Sequence, residues 1–425
     1  MEKIFTADIT ETNAEGNGIV KIDGCVIFVI GAVRGDRVKA EIYEEKKNYK
    51  LARILEFEVK SSERSEIDCE AFSRCGGCTL RHVAYEHELE IKKSNVNSAL
   101  RREGLGEHSV SEILHANPDR YRNKAVLRFC DDGFGFCEEG TNDVTLCPDC
   151  KILPEIFSEI GTFVYKECRD SLPSYLFMRK NRDTDEIVVV IGTDKASEYE
   201  NLADALMNKF PVVGVVAKDG NVPEEGKKTV IRGRDYINEK FLGLDITVSS
   251  DSFFQVNHDA AELLCRKVSE YAGDDSAYGA DLYCGTGIIG MSIAALCPSS
   301  FITGVEINES AVSDAKKNAA RNNLVNLGFF CGDSADFAKN IYGTLDFVII
   351  DPPRRGCGEK MIKELLRIKS DKIIYVSCGP TTLARDLKLL CEKQYEIKEV
   401  TAVDLFPRTK HVETVVLLSK KTKSA

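Results

Sequence analysis

The last third of the chain alternates helical segments with short runs of apolar residues. The runs that we interpret as strands span residues 278–284, 301–307, 327–332, 345–351 and 372–378. Beside them, apolar residues recur with helical spacing in residues 260–272, 288–297, 309–323, 359–368 and 381–393. Short apolar runs separated by helices are typical of βαβ units. The pattern therefore predicts an α/β fold with a doubly wound, mainly parallel sheet that binds ligands at the carboxyl ends of its strands.

The rest of the chain is predicted to form two further units. Residues 1–58 contain short strands broken by glycine-rich or charged turns, a pattern typical of a small OB-like β-barrel. Residues 59–250 combine predicted helices at 85–102 and 201–210 with predicted strands at 125–130, 186–193 and 211–218, which indicates a central α+β unit. A chain of 425 residues is too long to fold around one hydrophobic core. We therefore expect three domains, spanning residues 1–58, 59–250 and 251–425.

Composition and charge exclude several classes of protein. With 43% hydrophobic and 29% charged residues, the chain has the composition of a globular protein and not of a disordered one. We find no secretory signal and no apolar stretch near the ~20 residues of a membrane span, so we expect a cytoplasmic protein without a membrane partner. The net charge of −11 does not indicate a polyanionic ligand, although a local basic groove on an acidic protein can bind phosphates.

A glycine-rich loop follows the first predicted strand of the α/β region. Its sequence, DLYCGTGIIG, contains a G-x-G-x-x-G motif that begins at Gly285, where glycine lets a ligand approach the backbone closely. Glu306 ends the next strand and is placed to accept the ribose hydroxyls of either NAD or S-adenosylmethionine. Asp281 suits a methionine ammonium group and Asp333 suits an adenine amino group. These two carboxylates favour S-adenosylmethionine.

Two later strand ends carry candidate catalytic groups. Asp351 begins an acid-Pro-Pro sequence, and Arg354 stands where amino-group methyltransferases place an aromatic residue, so an exocyclic amine is disfavoured as the target. Cys378 lies at the N-terminus of a predicted helix. The partial positive charge at that helix end is expected to lower the pKa of the thiol and to raise its thiolate fraction.

A cysteine and a base are the groups that methylation at C5 of uracil requires. C5 is a weak nucleophile, but addition of a thiolate to C6 converts the ring to an enolate, after which a base removes the C5 proton. Cys378 is the candidate nucleophile. Near the C-terminus, Glu413 is our choice for the base, and His411 is the alternative.

Ordered motifs in the last third resemble those of the RNA uracil-5-methyltransferase family. They read DLYCGTGIIG, DPPRRG, SCGPTTLARDL and DLFPRTKHVETVVLL, with SFFQVN upstream of them. The resemblance implies a Rossmann-like class I methyltransferase domain in residues 251–425, with S-adenosylmethionine as methyl donor. It implies Cys378 as the nucleophile, Glu413 as the proton acceptor, and a cofactor and base pocket formed by Gln255, Tyr283, Glu306 and Asp351. Gly379 departs from the family, which usually has asparagine or a similar polar residue after the cysteine.

Cysteines in the middle of the chain form a separate pattern. Sixteen cysteines without a secretory signal indicate metal ligation or thiol chemistry more than disulfides. Cys69, Cys75 and Cys78 form a compact triplet, and Cys147 or Cys150 can complete a four-thiolate site for zinc or a [4Fe–4S] cluster. The subfamily resembled here carries a [4Fe–4S] cluster, and the context of its fourth ligand matches Cys150 better than Cys147.

The resemblance also implies partners. The N-terminal barrel resembles the TRAM domain, which many members carry for RNA binding. Members with both barrel and cluster resemble enzymes that act on large-subunit ribosomal RNA, so we expect 23S ribosomal RNA as the substrate, with transfer RNA as the second choice, and a monomeric enzyme. Two alternatives from other classes are an RNA-binding protein that has lost turnover and an NAD-dependent oxidoreductase.

Overall fold

The N-terminal residues form a six-stranded sheet in the computed structural model of the protein, which describes residues 3–273 and 277–421. The strands are β1 (Ile4–Asp8), β2 (Glu11–Thr12), β3 (Gly18–Ile22), β4 (Cys25–Ile30), β5 (Arg37–Glu45) and β6 (Tyr49–Val59). They are ordered β1-β5-β6-β4-β3-β2, and neighbours are antiparallel except for β4 and β6. Alternate side chains such as Val20, Ile27 and Val29 meet in one apolar cluster. The structure thus has strands where the sequence predicted them, whereas the OB-like barrel and its identity as a TRAM domain stay predictions.

The middle of the chain contains a seven-stranded sheet covered by two helices on one face. Its elements, with those that flank it, are α1 (Tyr85–Arg102), β7 (Glu112–His115), β8 (Lys124–Cys130), β9 (Gly133–Cys137), β10 (Val144–Leu146), α2 (Glu155–Glu167), β11 (Leu176–Lys180), β12 (Ile187–Gly192), a 3-10 turn (Ala196–Tyr199), α3 (Glu200–Lys209), β13 (Val212–Lys218), β14 (Lys228–Gly233), β15 (Tyr236–Phe241) and β16 (Leu244–Ser249). The sheet is ordered β10-β9-β8-β11-β12-β13-β14. Phe157 and Ile160 of α2 and Leu206 of α3 pack against it. Residues 124–233 thus contain both helices and strands, while the division of the chain into domains stays a prediction.

An eight-stranded mixed sheet forms the C-terminal part of the fold. The remaining elements are α4 (His258–Ala272), β17 (Tyr278–Leu282), α5 (Ile288–Leu296), β18 (Phe301–Glu306), α6 (Glu309–Arg321), β19 (Leu327–Cys331), α7 (Ser334–Lys339), β20 (Phe347–Ile350), α8 (Gly358–Ile368), β21 (Lys372–Ser377), α9 (Pro380–Cys391), β22 (Tyr395–Asp404) and β23 (Glu413–Lys420). The order is β19-β18-β17-β20-β21-β23-β22-β7, parallel from β19 to β21, with β23 antiparallel to both neighbours. This order confirms an α/β fold with a mainly parallel sheet.

Helices cover both faces of the eight-stranded sheet, which explains its continuous apolar strands. Ile349 on β20 packs in the cluster that contains α4, α5 and α6. Its neighbours Val348 and Ile350 pack in the opposite cluster, which contains α8 and α9. Because successive side chains point to opposite faces, a strand buried on both sides is apolar throughout. No helix in the described part of the chain is long and apolar enough to cross a membrane.

Packing crosses the domain boundary predicted at residue 250. Strand β7 pairs in parallel with β22 and thereby belongs to the eight-stranded sheet. Helix α1 buries Val96 and Leu100 in the same cluster as α9. The hairpin of β15 and β16 packs Ile237 and Val248 in the cluster that contains α4. Residues 85–115 and 236–249 therefore pack with the C-terminal sheet.

Phe347→Ala is expected to destabilise the fold. The Phe347 side chain is fully buried on β20, and its ring fills the space beside Gly279, where an added Cβ would lie 2.2 Å from it. Truncation leaves a cavity and should lower the free energy of unfolding by about 3–5 kcal/mol, measured by denaturant titration. Phe301→Ala is the matched control, because that ring is 54% exposed and its loss should cost less than about 1 kcal/mol. Equal losses in the two variants would contradict the assignment of Phe347 to the core.

Candidate active site

The carboxyl ends of neighbouring parallel strands meet at one edge of the eight-stranded sheet. β17, β20 and β21 end there, and β23 begins there because it runs in the opposite direction. A cavity of about 790 Å³ opens at this edge. The predicted site residues that line it are Gln255, Tyr283, Gly285, Asp351, Cys378 and Glu413. Side chains from distant parts of the sequence are thus brought to one surface.

The glycine-rich loop makes a tight turn between β17 and α5. Gly285 and Gly287 have φ values of 55° and 76°, in the left-handed region that favours glycine. A Cβ on Gly287 would also lie 2.3 Å from the Phe329 ring. The glycines therefore allow a turn that leaves room at the mouth of the cavity, as the sequence predicted.

Asp281 lies under this loop with one carboxylate oxygen unpaired. It is fully buried, and its Oδ2 accepts a hydrogen bond from the Gly290 N–H at 3.0 Å. Its Oδ1 has no hydrogen-bond partner among the described residues. Burial, and then the charge of Asp351, raises the pKa of Asp281 to about 7. A buried carboxylate with a free oxygen fits a positively charged ligand group.

Glu306 and Asp333 follow neighbouring strands but differ in their surroundings. Glu306 Oε2 accepts from the Gly285 N–H at 3.1 Å, and Oε1 accepts from the Asn308 N–H at 2.8 Å. These bonds orient the carboxylate beside the glycine loop. The Asp333 carboxylate instead caps α7, accepting from the Asp336 N–H at 2.9 Å, and it pairs with Lys360 at 3.3 Å. Asp281, Glu306 and Asp333 are not among the residues that line the cavity, and the role of Asp333 toward adenine stays a prediction.

Gln255 is held in the cavity wall by the central sheet. The Asn123 side-chain N–H donates to the Gln255 carbonyl at 3.1 Å, and the Asn123 backbone N–H donates to the Val256 carbonyl at 2.9 Å. Phe253, nearby in the same wall, is 66% exposed. The central unit thus contributes directly to the shape of the site.

Cys378 stands between the end of β21 and the start of α9. Gly379 is the N-cap residue, and its N–H donates to Ser377 Oγ at 3.1 Å. An added Cβ at Gly379 would lie 2.8 Å from Thr382 Oγ1, which itself donates to the Arg354 carbonyl at 3.1 Å. A side chain at position 379 would therefore crowd Thr382. Glycine, which departs from the family pattern here, fits the local packing of α9.

The prediction that the pKa of Cys378 is lowered is wrong for the free protein. Burial raises the pKa of the thiol above its ordinary value, and the charges of Glu413 and Asp351 raise it further. Arg354 acts in the opposite direction but does not offset them. The position at the helix N-terminus was read correctly from the sequence, but the two carboxylates come from other strands.

Asp351 and Glu413 are two carboxyl groups beside Cys378, of which Glu413 is buried and Asp351 is partly buried. Burial raises the pKa of Asp351 to about 7. Burial and then the charge of Asp351 raise the pKa of Glu413 to about 8, while Arg354 lowers it. A carboxyl group with such a pKa accepts and releases a proton near neutral pH.

His411 and Arg354 complete this part of the cavity wall. Burial and then the Arg354 charge lower the pKa of His411, which favours the neutral imidazole. His411 therefore keeps the capacity to accept a proton and stays the alternative base. Arg354, which the sequence argument treated only as the absence of an aromatic residue, acts electrostatically on Cys378, Glu413 and His411. Its place after Asp351 in DPPRRG was the signal for a cation in the site.

The predicted cysteine ligands border the same cavity. They are Cys69, Cys75, Cys78 and Cys150, together with the rival Cys147. Hydrogen bonding to the Cys147 thiol lowers the pKa of Cys69 to about 6 and that of Cys150 to about 7. No group of three or more His, Cys, Asp or Glu side chains within residues 3–273 and 277–421 forms a site for a metal ion. The structure thus groups the thiols without showing that they ligate a metal.

The sequence matches the model of the tRNA (uracil-5-)-methyltransferase family over residues 84–421. The chain belongs to this family. It is 34% identical to an uncharacterized RNA methyltransferase of Bacillus cereus, over 96% of this chain and 95% of that one. It is 35% identical to one of Caldanaerobacter subterraneus, over 98% and 99% of the two chains. This protein is therefore an RNA methyltransferase, and the oxidoreductase alternative is wrong.

A solved structure shares the fold of the methyltransferase over almost its whole length. The Pyrococcus abyssi tRNA (uracil-54, C5)-methyltransferase in complex with S-adenosyl-L-homocysteine superposes with a TM-score of 0.78 at 27% identity. The match covers 97% of this chain and 100% of that one. It supports the α/β architecture of the methyltransferase, while the roles of its individual site residues stay predictions.

Glu413→Gln should lower the pKa of the Cys378 thiol, because it removes a negative charge that disfavours the thiolate. The pH at which iodoacetamide alkylates the Cys378 peptide at half its maximal rate, measured by mass spectrometry, should fall by roughly one unit. Glu359→Gln is the control, because it removes the same charge from an exposed position on α8. An unchanged profile in Glu413→Gln, or fast alkylation of the wild type at pH 7, would contradict the electrostatic account.

Proposed function

We propose that the methyltransferase methylates C5 of a uridine in RNA through a covalent adduct with Cys378. The observation that carries the proposal is the convergence of Cys378, Glu413 and Asp351 on the cavity that the glycine loop borders. A thiol and a base are the two groups that this reaction requires from a protein. Family membership supports a uracil C5 target, since the family is that of tRNA (uracil-5-)-methyltransferases.

S-adenosylmethionine, when bound, supplies an electrophilic methyl group on a sulfonium. We propose that seven residues hold the cofactor and the target base. They are Asp281, Gly285, Glu306, Asp333, Tyr283, Gln255 and Asp351. The unpaired Asp281 Oδ1 and the oriented Glu306 carboxylate suit the ammonium and the ribose hydroxyls. The product of methyl transfer, S-adenosyl-L-homocysteine, is bound to the Pyrococcus abyssi enzyme, which supports this assignment.

The chain's own residues act in three steps on the uracil. The Cys378 thiolate forms a bond to C6, and the ring electrons move to give an enolate with a nucleophilic C5. C5 takes the methyl group, and Glu413 then removes the proton from C5. The C5–C6 double bond re-forms as the C6–sulfur bond breaks, which returns the thiolate to Cys378. The raised pKa of Glu413 suits this step, because a carboxyl group with a pKa near the working pH holds the abstracted proton.

The target uracil must leave its stack to reach Cys378, so a loop or a locally opened helix is the substrate that fits. We propose 23S ribosomal RNA first, on the resemblance of the barrel and the cysteine pattern to large-subunit enzymes. Transfer RNA is the second candidate, because the whole-chain structural match acts on uracil 54 of tRNA. Residues 1–58 are proposed to contact the RNA as a TRAM-like domain.

The methyltransferase should transfer the labelled methyl group of S-adenosylmethionine to uridine, giving labelled 5-methyluridine, when it is given total RNA that lacks this modification. Resolution by RNA size and then nucleoside analysis identifies the substrate: label in 23S RNA supports the first choice, and label in tRNA moves the target. Cys378→Ala should abolish transfer and adduct formation but keep cofactor binding. Glu413→Gln should accumulate a denaturation-resistant RNA adduct, because the proton on C5 stays in place.

Three results would count against this mechanism. Methylation of RNA by Cys378→Ala would show that Cys378 is not the nucleophile. Absence of an adduct in Glu413→Gln would assign the base to His411. Failure of a folded preparation to label any RNA would favour an RNA-binding protein without turnover.

We propose in addition that the grouped cysteines bind a [4Fe–4S] cluster through Cys69, Cys75, Cys78 and Cys150. An all-thiol donor set suits such a cluster, and thiolates are the ligating form. Hydrogen bonding to Cys147 lowers the pKa of Cys69 and Cys150, whereas burial raises the pKa of Cys75 and Cys78, so the proposal rests on the grouping of the thiols and not on their pKa values. Methyl transfer from a sulfonium consumes no electrons, so the cluster is proposed as a structural or RNA-contacting element.

The purified methyltransferase should be brown and contain iron, and Cys69→Ser should remove both the visible absorption and the iron. Cys25→Ser is the control, because that cysteine lies on β4 outside the cysteine group. Cys150→Ser and Cys147→Ser, compared by iron content, identify the fourth ligand. A colourless wild type that contains zinc would refute the cluster.

A further inference from the structure

Helix α1 contains a lysine whose charged group is buried. The Lys92 side chain is 1% exposed. Its Nζ donates to Glu88 Oε1 at 2.7 Å and to Asp404 Oδ1 at 2.6 Å. The Tyr85 hydroxyl donates to the other Asp404 oxygen at 2.8 Å. Burying an ammonium between two carboxylates is costly unless each is well paired, and here all of the partners except one Glu88 oxygen are engaged.

This group of buried charges touches the loop that leads to Glu413. We call residues 405–412, between β22 and β23, the catalytic loop. Lys92 Nζ donates to the Phe406 carbonyl at 3.1 Å, and the Arg408 N–H donates to Glu88 Oε1 at 2.7 Å. Helix α1 therefore binds two residues of the catalytic loop, Phe406 and Arg408.

Hydrogen bonds continue from this contact to the site. Thr409 Oγ1 donates to the Phe406 carbonyl at 2.8 Å and accepts from the His411 N–H at 3.2 Å. Glu413 pairs across the strands with Val403, which directly precedes Asp404. Fixing Asp404 and Phe406 thus fixes both the loop residue His411 and the strand position of Glu413.

The conformation of the catalytic loop also requires support from outside. Arg408 has a φ of 69°, in the left-handed region that costs energy for a residue other than glycine. Its carbonyl accepts hydrogen bonds from the N–H groups of Thr79 at 2.9 Å and Leu80 at 3.0 Å. These two residues follow Cys78, so the segment that carries the cysteine triplet also binds the catalytic loop.

We propose that Lys92, with Asp404 and Glu88, is the positioning group that holds the catalytic loop where Glu413 faces the substrate carbon attached to Cys378. This inference rests on the proposed function, and it assigns the network to one step. Cys378 lies on the connection between β21 and α9, which Lys92 does not bond, so the addition step does not depend on the network. Proton removal does depend on the network, because the catalytic loop sets the position of the proposed base, Glu413.

Loss of the Lys92 charge should therefore impair the methyltransferase at the proton-removal step. Lys92→Met should lower kcat by about 10–100-fold, since a misplacement near 1 Å has effects of that size. The dissociation constant of S-adenosylmethionine should change little. The denaturation-resistant RNA adduct should accumulate, as in Glu413→Gln, which a general loss of folding would not produce.

Two further variants make the test specific. Lys267→Met is the matched control, because Lys267 on α4 pairs with Glu112 at 2.8 Å and Glu270 at 3.0 Å, away from the catalytic loop. It should leave kcat and adduct levels unchanged. Asp404→Asn keeps the shape of the side chain but removes its charge, and it should accumulate adduct where Lys92→Met fails to fold.

The outcomes separate this inference from the proposed function. If Glu413→Gln traps adduct and a folded Lys92→Met or Asp404→Asn does not, the positioning role is overturned and the mechanism stands. Equal losses in Lys92→Met and Lys267→Met, without adduct, overturn it as well. If Cys378→Ala still methylates RNA, the mechanism fails and the inference fails with it.

Discussion

The chemistry of the site depends on the removal of acidic groups from water at the carboxyl edge of the parallel sheet. Burial raises the pKa of Asp281 and Asp351 to about 7 and that of Glu413 to about 8. Each of these groups loses its proton only near or above neutral pH, and its carboxylate, once ionised, favours a positive partner or readily accepts a proton. The same edge is therefore suited to a cationic cofactor at one end and to a proton acceptor at the other. Arg354 moderates the effect beside Cys378 without reversing it.

The sheet produces this environment through its topology. β20 and β21 are covered by helices on both faces, so their ends are the places where polar side chains can follow an apolar strand. Asp351 and Cys378 occupy these ends. β23 runs in the opposite direction and brings Glu413 to the same edge at its first residue. The proposed nucleophile and the proposed base thus lie at the same edge because one strand is antiparallel to the other.

The central unit takes part in the site rather than merely flanking it. Asn123 fixes the backbone at Gln255, the thiols of the cysteine triplet border the cavity, and α1 binds the catalytic loop through buried charges. Each contact joins residues more than a hundred positions apart or belonging to different sheets. The walls of the cavity therefore come from the central part of the chain as well as from the C-terminal sheet.

The sequence by itself determined the alternation of helices and strands, the glycine loop and which side chains are the candidates for the chemistry. These are encoded locally, in apolar spacing and in glycines at positions such as Gly287 that no other residue fits. The tertiary structure decided the rest: that β7 joins the C-terminal sheet, that Asp333 caps a helix, and that the pKa of Cys378 is raised and not lowered. The physical reason is that burial and the charges of distant residues set the pKa of a group. Both depend on which surfaces pack together, and local spacing does not specify that.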